Sequence, residues 1–482
     1  MNGHQKISIF WFRKDLRLRD HQVFSSLQGA EALLPIYIHD LENEGKWKTG
    51  AASQWFLHHS LKNLDKSLQA FQSKLSFFHG NSLEVFKFLV RKFSVQSVQW
   101  SRSYESHQLK IEAEVEDFLV RSGIEVKILP GNLISEPGSI TKSDKNPYVV
   151  YTPFWRAFVD SYKTYTELKF SAPPPLPPLN EKLGVNCEEL NLLPKIKWDT
   201  EFYQNWIPSE EEAHKRLDNF LKSNLLEYSK NRDYPGLQAT SSLSPYLHFG
   251  LIHPRSILRK IEKMHGPLKK ISNKNIIQFC KELVWREFSH HVMHYHPQVP
   301  DESIRIIFNQ FPWKTNLTHL KAWQKGKTGY PIVDAGMRQL WRTGWMHNRV
   351  RMIVASFLTK DLHIHWLEGA RWFWDTLVDA DLANNSQGWQ WTAGCGFDAA
   401  PYFRIFNPIT QSETFDPEGS YIRTWCPELS LLPNEWIHKP WLAPEQVLKR
   451  ARVNLSHDYP LPIVDHKEAR DYSLAAYKGL RV

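Results

Sequence analysis

Ile7-Ser8-Ile9-Phe10-Trp11-Phe12, followed at once by Arg13-Lys14-Asp15-Leu16-Arg17-Leu18-Arg19-Asp20, is an apolar run that breaks into a charged loop. Such a run reads as a strand covered on both faces, and the loop lies beyond its carboxyl end. Similar runs recur at Leu33-Leu34-Pro35-Ile36-Tyr37-Ile38, Val95-Gln96-Ser97-Val98 and Ile124-Glu125-Val126-Lys127-Ile128, with helical spacing between them, as from Ala51 to Phe71. Strands alternating with helices predict a doubly wound, mostly parallel α/β sheet that binds ligands past the carboxyl ends of its strands. The loop after the first strand has no glycine, so neither a dinucleotide fingerprint nor a phosphate-binding P-loop is present. An ordinary nucleotide-dependent dehydrogenase therefore loses support.

Further along, Ser171-Ala172-Pro173-Pro174-Pro175-Leu176-Pro177-Pro178-Leu179 has too few backbone donors for helix or sheet and reads as linker. Helical patterns resume at Pro208-Ser209-Glu210-Glu211-Glu212, where Ser209 and Glu212 have capping-box spacing, and dominate to about Trp374. The 482 residues exceed what one core supports and divide into an α/β unit at 1–130, a linker at 131–207 and an all-α unit at 208–482. Cys187, Cys280, Cys395 and Cys426 lack the close pairing of metal ligands and read as reduced thiols, with no metal expected. No apolar run is long enough to span a membrane and Met1-Asn2-Gly3-His4-Gln5-Lys6 lacks a signal peptide's apolar region, so a soluble, cytoplasmic monomer is expected. The net charge of +9 favours an anionic partner such as nucleic acid.

Of the 20 tryptophans, 13 fall between Trp285 and Trp441, among several unusual constellations. Thr240-Ser241-Ser242-Leu243-Ser244-Pro245 reads either as an ordinary helix start, with Ser244 as N-cap, or as a phosphate site built on hydroxyls and free amides. Helical spacing brings Glu282, Trp285 and Arg286 to one face, which suits a packed ion pair or a base with its phosphate equally well. Trp345, Asn348 and Met352 also share a helical face, with Arg349 and Arg351 to either side. Asp379-Ala380-Asp381-Leu382-Ala383-Asn384-Asn385-Ser386-Gln387-Gly388-Trp389-Gln390-Trp391 joins carboxylates and amides to two rings, which face different environments if the backbone there is extended.

These segments, with Trp11 to Arg17, Gly326 to Ala335 and Asp398 to Pro408, closely resemble cyclobutane pyrimidine dimer photolyases of the microbial class I type, over nearly the whole chain. The resemblance implies an α/β antenna unit, a helical unit holding FAD, and repair of pyrimidine dimers in DNA by an electron from light-excited reduced FAD. It implies that Tyr228, Thr240, Ser241, Ser242, Leu243, Ser244, Arg351, Asp379 and Asp381 bind the flavin, with Asn385 beside its reactive ring nitrogen N5. Trp285 and Trp391 would stack on the flipped-out dimer and Glu282 would bond its polar edge. Asn348, also counted with the flavin contacts, and Met352 would complete the pocket floor. Arg232, Arg286, Arg349 and Arg404 would grip phosphates, and Trp389, Trp366 and Trp313 would relay electrons to the flavin from the surface.

A second, antenna chromophore is implied as well, either methenyltetrahydrofolate or a deazaflavin. In Tyr104-Glu105-Ser106-His107-Gln108, His107 and Gln108 depart from the folate-binding pattern. The rival class is a cryptochrome-type blue-light photoreceptor. The intact pair Trp285 and Trp391, and a chain that stops at Val482 without a low-complexity tail, favour repair. Repair of 6-4 photoproducts is disfavoured because Asn348 and Met352 stand where that chemistry has histidines. A vestigial flavin site is disfavoured because no loss is visible at the matched positions.

Overall fold

The protein, described from a computed structural model, is traced at residues 6–23, 32–163, 183–399 and 403–480. Strands β1 (Lys6–Phe12), β2 (Ala32–His39), β3 (Ser76–His79), β4 (Ser94–Ser101) and β5 (Glu125–Leu129) form one parallel sheet in the order β3-β2-β1-β4-β5. Helices α1 (Ala51–Gln69), α2 (Ser82–Lys92) and α3 (Ser106–Arg121) connect them. β1 is central, and its side chains divide by the two-residue period of a strand. Ile7, Ile9 and Trp11 pack with Phe86 and Leu89 of α2 and with Val115 and Leu119 of α3. Phe10 and Phe12 point the other way, into a core with Trp55 and Phe56 of α1. The four expected strands are present. β3 was not expected, because four residues, Ser76-Phe77-Phe78-His79, are too few to show a period.

The stretch expected to be linker carries a helix, α4 (Tyr151–Ser161), while the Pro-rich Ser171 to Leu179 lies outside the described residues. Helix α5 (Glu210–Ser223) starts as expected, with Ser209 Oγ accepting the Glu212 N–H at 3.2 Å. The remaining elements used below are α6 (Ser244–His248), α7 (Lys274–Tyr295), α8 (Pro331–Thr343) and α9 (Asn348–Ser356), which runs into a π-helical turn at Phe357–Asp361. They are followed by α10 (Trp366–Thr376), α11 (Leu382–Ala393), α12 (Pro408–Phe415) and α13 (His466–Gly479). Helix thus continues past Trp374 through the unit expected to be all-α. α12 has only eight residues and is marked less by periodicity than by its ends, where Asn407 caps the Ile409 and Thr410 amides and Pro408 opens the helix.

The apolar core under the α1 face of the sheet continues without a break into Phe279, Leu283, Val284 and Phe288 of α7. At one point the layers meet backbone to backbone: a Cβ on Gly50 would lie 2.1 Å from the Trp374 carbonyl oxygen. Just beyond, the Ala51 N–H donates to Asp375 Oδ1 and Ser53 Oγ to the Leu377 carbonyl, both at 2.9 Å. A second core surrounds Trp323, Trp366, Phe373 and Trp389. All four cysteines are buried and free. No helix among the described residues is long and apolar enough to cross a membrane.

Candidate functional site

Helices α6, α7, α9 and α11 surround a cavity of about 980 Å³, at the upper end of the volume range of small-molecule and cofactor pockets. Arg351 and Asp379 sit in its wall, one Arg351 Nη donating to both Asp379 oxygens at 3.1 and 2.8 Å while Nε donates to the Met346 carbonyl. Asp381 caps α11 by accepting the Asn384 N–H at 2.9 Å. Its other oxygen faces His290 Nε2 at 3.2 Å and His248 Nδ1 at 3.7 Å. Burial pushes the Asp381 carboxyl up, but the charge of His290 and hydrogen bonds from His248 and His290 hold it well below the ordinary carboxylate range. Asn385 ties its side-chain nitrogen to the Ala370 carbonyl at 3.0 Å, which leaves the amide oxygen as the group available to a ligand.

Of the hydroxyl-rich turn, Ser241, Leu243 and Ser244 line the cavity; Thr240 and Ser242 belong to the same turn, and Ser242 adopts the left-handed conformation at φ 50°. Ser244 is not the N-cap. The helix starts one residue earlier than expected, Leu243 holds the cap position, and the Ser244 hydroxyl instead accepts from Trp345 Nε1 at 3.2 Å. That bond belongs to Trp345 lying outside α9, so of the expected trio only Asn348 and Met352 share a helix, with Asn348 Nδ2 3.9 Å from the Met352 sulfur. Tyr228 closes another side of the cavity. Gln387 leaves its buried Oε1 without a partner among the described residues. An orphaned acceptor, an arginine, hydroxyls and a helix start around one large cavity fit a flat heterocycle carrying phosphates.

At the mouth, Trp285 is half-buried because the Tyr151 ring of α4 covers one of its faces, with centroids 3.7 Å apart and planes 9° from parallel. Trp391 is half-buried too, its Nε1 donating to the Asp398 carbonyl at 2.9 Å. Glu282 accepts from Gln278 at 2.6 Å and from the Arg232 guanidinium, so Arg232 is held by a carboxylate inside the mouth. Arg286 turns toward the sheet side and donates to the Asn132 carbonyl at 2.6 Å. Arg349 pairs with Asp233 at 2.9 Å and lies over the Phe415 ring. Arg349 and Arg404 also line an adjoining groove of about 750 Å³ that contains Phe406, Asn407, Arg470 and Lys478.

Trp389 and Trp391 lie on helix, not on extended chain. Two residues of helix turn about 200°, so the rings still point to opposite sides. Trp389 is 2 % exposed and rests on α10 at Gly369, where an added Cβ would sit 2.0 Å from its ring. One turn before Gly369 is Trp366, fully buried, with Nε1 donating to Ser303 Oγ at 3.2 Å. The His365 ring lies 5.6 Å from Trp366 and 5.1 Å from the partly buried Trp313. Tyr151, His365 and Gly369 were not singled out from sequence. Tyr151 lies in the supposed linker, and a lone histidine or helical glycine carries no local signal.

A narrower crevice at the carboxyl ends of β1 and β2 is lined by Arg13, Lys14, His39, Asp40 and Gln108. His248 and Ala380 belong to the walls of both this crevice and the large cavity. Lys14 reaches Glu105 at 2.6 Å; burial opposes ionisation there, but the Lys14 charge brings Glu105 down to about 2.

A family model described as "DNA photolyase" matches residues 8–178, and one described as "FAD binding domain of DNA photolyase" matches residues 279–479. A deoxyribodipyrimidine photo-lyase from Agrobacterium fabrum is 42% identical over 98% of this chain and 98% of its own length. The chain belongs to the photolyase/cryptochrome family. Cryptochrome-2 of Arabidopsis thaliana is 36% identical over 99% of this chain and 79% of its own length. The crystal structure of a bacterial class III photolyase from Agrobacterium tumefaciens superimposes with a TM-score of 0.93 at 40% identity, covering 100% of this chain and 99% of that one. The likeness to photolyases therefore holds, whereas the leaning to class I is only partly supported, given this class III match. As a photolyase-family chain it carries an FAD-binding domain, and the cavity lies largely within the segment so matched.

Proposed function

We propose that the protein is a deoxyribodipyrimidine photolyase, a carbon–carbon lyase that repairs cyclobutane pyrimidine dimers in DNA by light. The observation that carries this reading is one continuous cavity with polar flavin-type contacts inside and a half-exposed pair of tryptophans at its mouth. Bound and reduced, FAD supplies a light-driven electron to the dimer and takes it back. Arg351, Asp379 and Asp381 would hold the flavin, with Asn385 beside its reactive ring nitrogen. Tyr228 would also bind it, and the turn Thr240, Ser241, Ser242, Leu243 and Ser244 would take its phosphates, where amides and hydroxyls converge.

Photolyases are among the enzymes for which flipping the target out of the stack is known. Here Trp285, backed by Tyr151, and Trp391 offer flat faces to the flipped dimer, while Asn348 and Met352 form its floor. Glu282, held by Gln278 and Arg232, presents a carboxyl at the dimer's polar edge. Arg349 and Arg404 line the groove that adjoins the mouth and would neutralise phosphates, binding DNA without regard to sequence. Arg232 and Arg286 add positive potential from inside the mouth.

Trp389, Trp366 and Trp313 lead from the cavity outward, with His365 between the last two, and form the path by which an oxidised flavin is recharged. The crevice beside β1 and β2 is where a doubly wound sheet binds ligands, and we assign it to the second chromophore, methenyltetrahydrofolate or a deazaflavin. The identity to a plant cryptochrome keeps a photoreceptor as the second reading. The test is repair of dimer-containing DNA by FAD-loaded, prereduced protein. Restoration under blue light and none in the dark is expected. No restoration in the light, with a light-driven change in the protein's flavin spectrum, would favour the photoreceptor.

A further inference from the structure

Lys360 belongs to the π-helical turn after α9 and is 1 % exposed. Its ammonium has no carboxylate within ion-pair distance among the described residues. It donates to the Arg404 carbonyl at 2.9 Å and lies 3.6 Å from the centroid of the Phe403 ring. A buried cation with one backbone acceptor and a ring face is expensive to keep, and burial pushes its pKa down to about 7. One turn earlier, Ser356 Oγ accepts the Phe406 N–H at 3.2 Å. Phe403 in turn stacks on Tyr477 of α13, with centroids 4.5 Å apart and planes 5° from parallel. The backbone from Arg404 to Phe406 is therefore held at one end by Lys360 and at the other by Ser356, the last residue of α9, and from that backbone Arg404 reaches the walls of both the cavity and the groove.

Lys360 meets Arg404, while the next residue, Asp361, meets His466 of α13 at 2.5 Å. We infer that Lys360 is a positioning residue for lesion binding, fixing Arg404 at the mouth through the Arg404 carbonyl while touching neither DNA nor flavin. The inference rests on the proposed role of Arg404 at a DNA phosphate.

The test compares FAD-loaded wild type, Lys360→Met, Lys360→Gln and Arg404→Ala for binding to a dimer-containing and an undamaged oligonucleotide, for repair yield at saturating DNA, and for amide exchange at Phe403 to Asn407. Lys360→Met is expected to weaken dimer binding about tenfold, as loss of one charge-assisted bond would. Exchange at Phe403 to Asn407 should speed up, with flavin content and saturated repair yield unchanged. Lys360→Gln, which keeps an N–H donor, should recover part of the affinity. Unaltered dimer binding in Lys360→Met beside a loss in Arg404→Ala overturns the inference alone. So does a fall of flavin content and repair yield together with affinity. Unaltered binding in Arg404→Ala overturns the phosphate role on which the inference stands.

Discussion

Helix α11 carries Trp389 into a dry wall and, two residues on, Trp391 to a wet mouth. On the dry side Trp389, Trp366 and Trp323 are at most 2 % exposed, packed around Phe373 and Gly369. On the wet side Trp391 and Trp285 are half-buried, each keeping part of its ring toward a cavity that also holds Glu282, Asn348 and Met352. The same residue type serves two ends because tight packing holds rings in fixed geometry, whereas an open face leaves area for a partner to bury. Substitutions on the dry side should change the fold and recharging of the flavin, and those on the wet side should change affinity for the lesion.

The largest effect is expected on the dry side, from Gly369→Ala. A Cβ there would stand 2.0 Å from Trp389 Cη2 and 2.4 Å from Cζ3, so the indole or the helix must move. Overpacking of this kind costs about 1–3 kcal/mol. Denaturant unfolding should show that loss, and photoreduction of oxidised flavin should slow because the Trp389 ring is displaced from its place on α10. Unchanged stability and unchanged photoreduction would mean that the wall yields freely, and the contrast with the mouth would disappear.

Trp391→Ala probes the other side. Loss of one stacking face is worth about 1–3 kcal/mol per base, or roughly fivefold to 150-fold in affinity for dimer-containing DNA. The unfolding midpoint should shift less than for Gly369→Ala, since the ring is half-exposed and its one hydrogen bond goes to the Asp398 carbonyl. Equal losses of stability and affinity would make Trp391 a packing residue like Trp323.

Much of this contrast can be read in the sequence, for reasons that differ by element. β1 is legible because five apolar residues in six leave a strand little choice but burial on both faces. α5 is legible because Ser209 announces its start. The composition of the site is legible because carboxylates, amides and tryptophans between Asp379 and Trp391 are too polar and too aromatic together for plain packing. Contacts between distant segments are not legible. Tyr151 finds Trp285 across 134 positions, Lys360 finds Arg404 across 44, and Arg286 turns to Asn132 because the sheet side supplies a carbonyl. The structure puts the cap of α6 at Leu243 rather than Ser244, whose hydroxyl accepts from Trp345, a partner remote in sequence.

The smallest effect is expected where the two sides join, at Asp381, the first anchor of α11. Its folded carboxyl titrates well below the ordinary range, so the group contributes stability above its unfolded pKa of about 3.9. That contribution is lost as pH falls through the lower, folded value. Asp381→Asn keeps an acceptor for the Asn384 N–H but removes the charge that faces His290 and His248. At pH 7, with flavin in fixed excess, the variant should be less stable by up to about 2 kcal/mol, the worth of an anion at a helix start withdrawn from solvent. Its stability should also fall less steeply than that of the wild type as the solution is acidified below about pH 4. If the two acid limbs superimpose, the histidines do not hold this carboxylate ionised, and α11 owes its position to the packing of Trp389 alone.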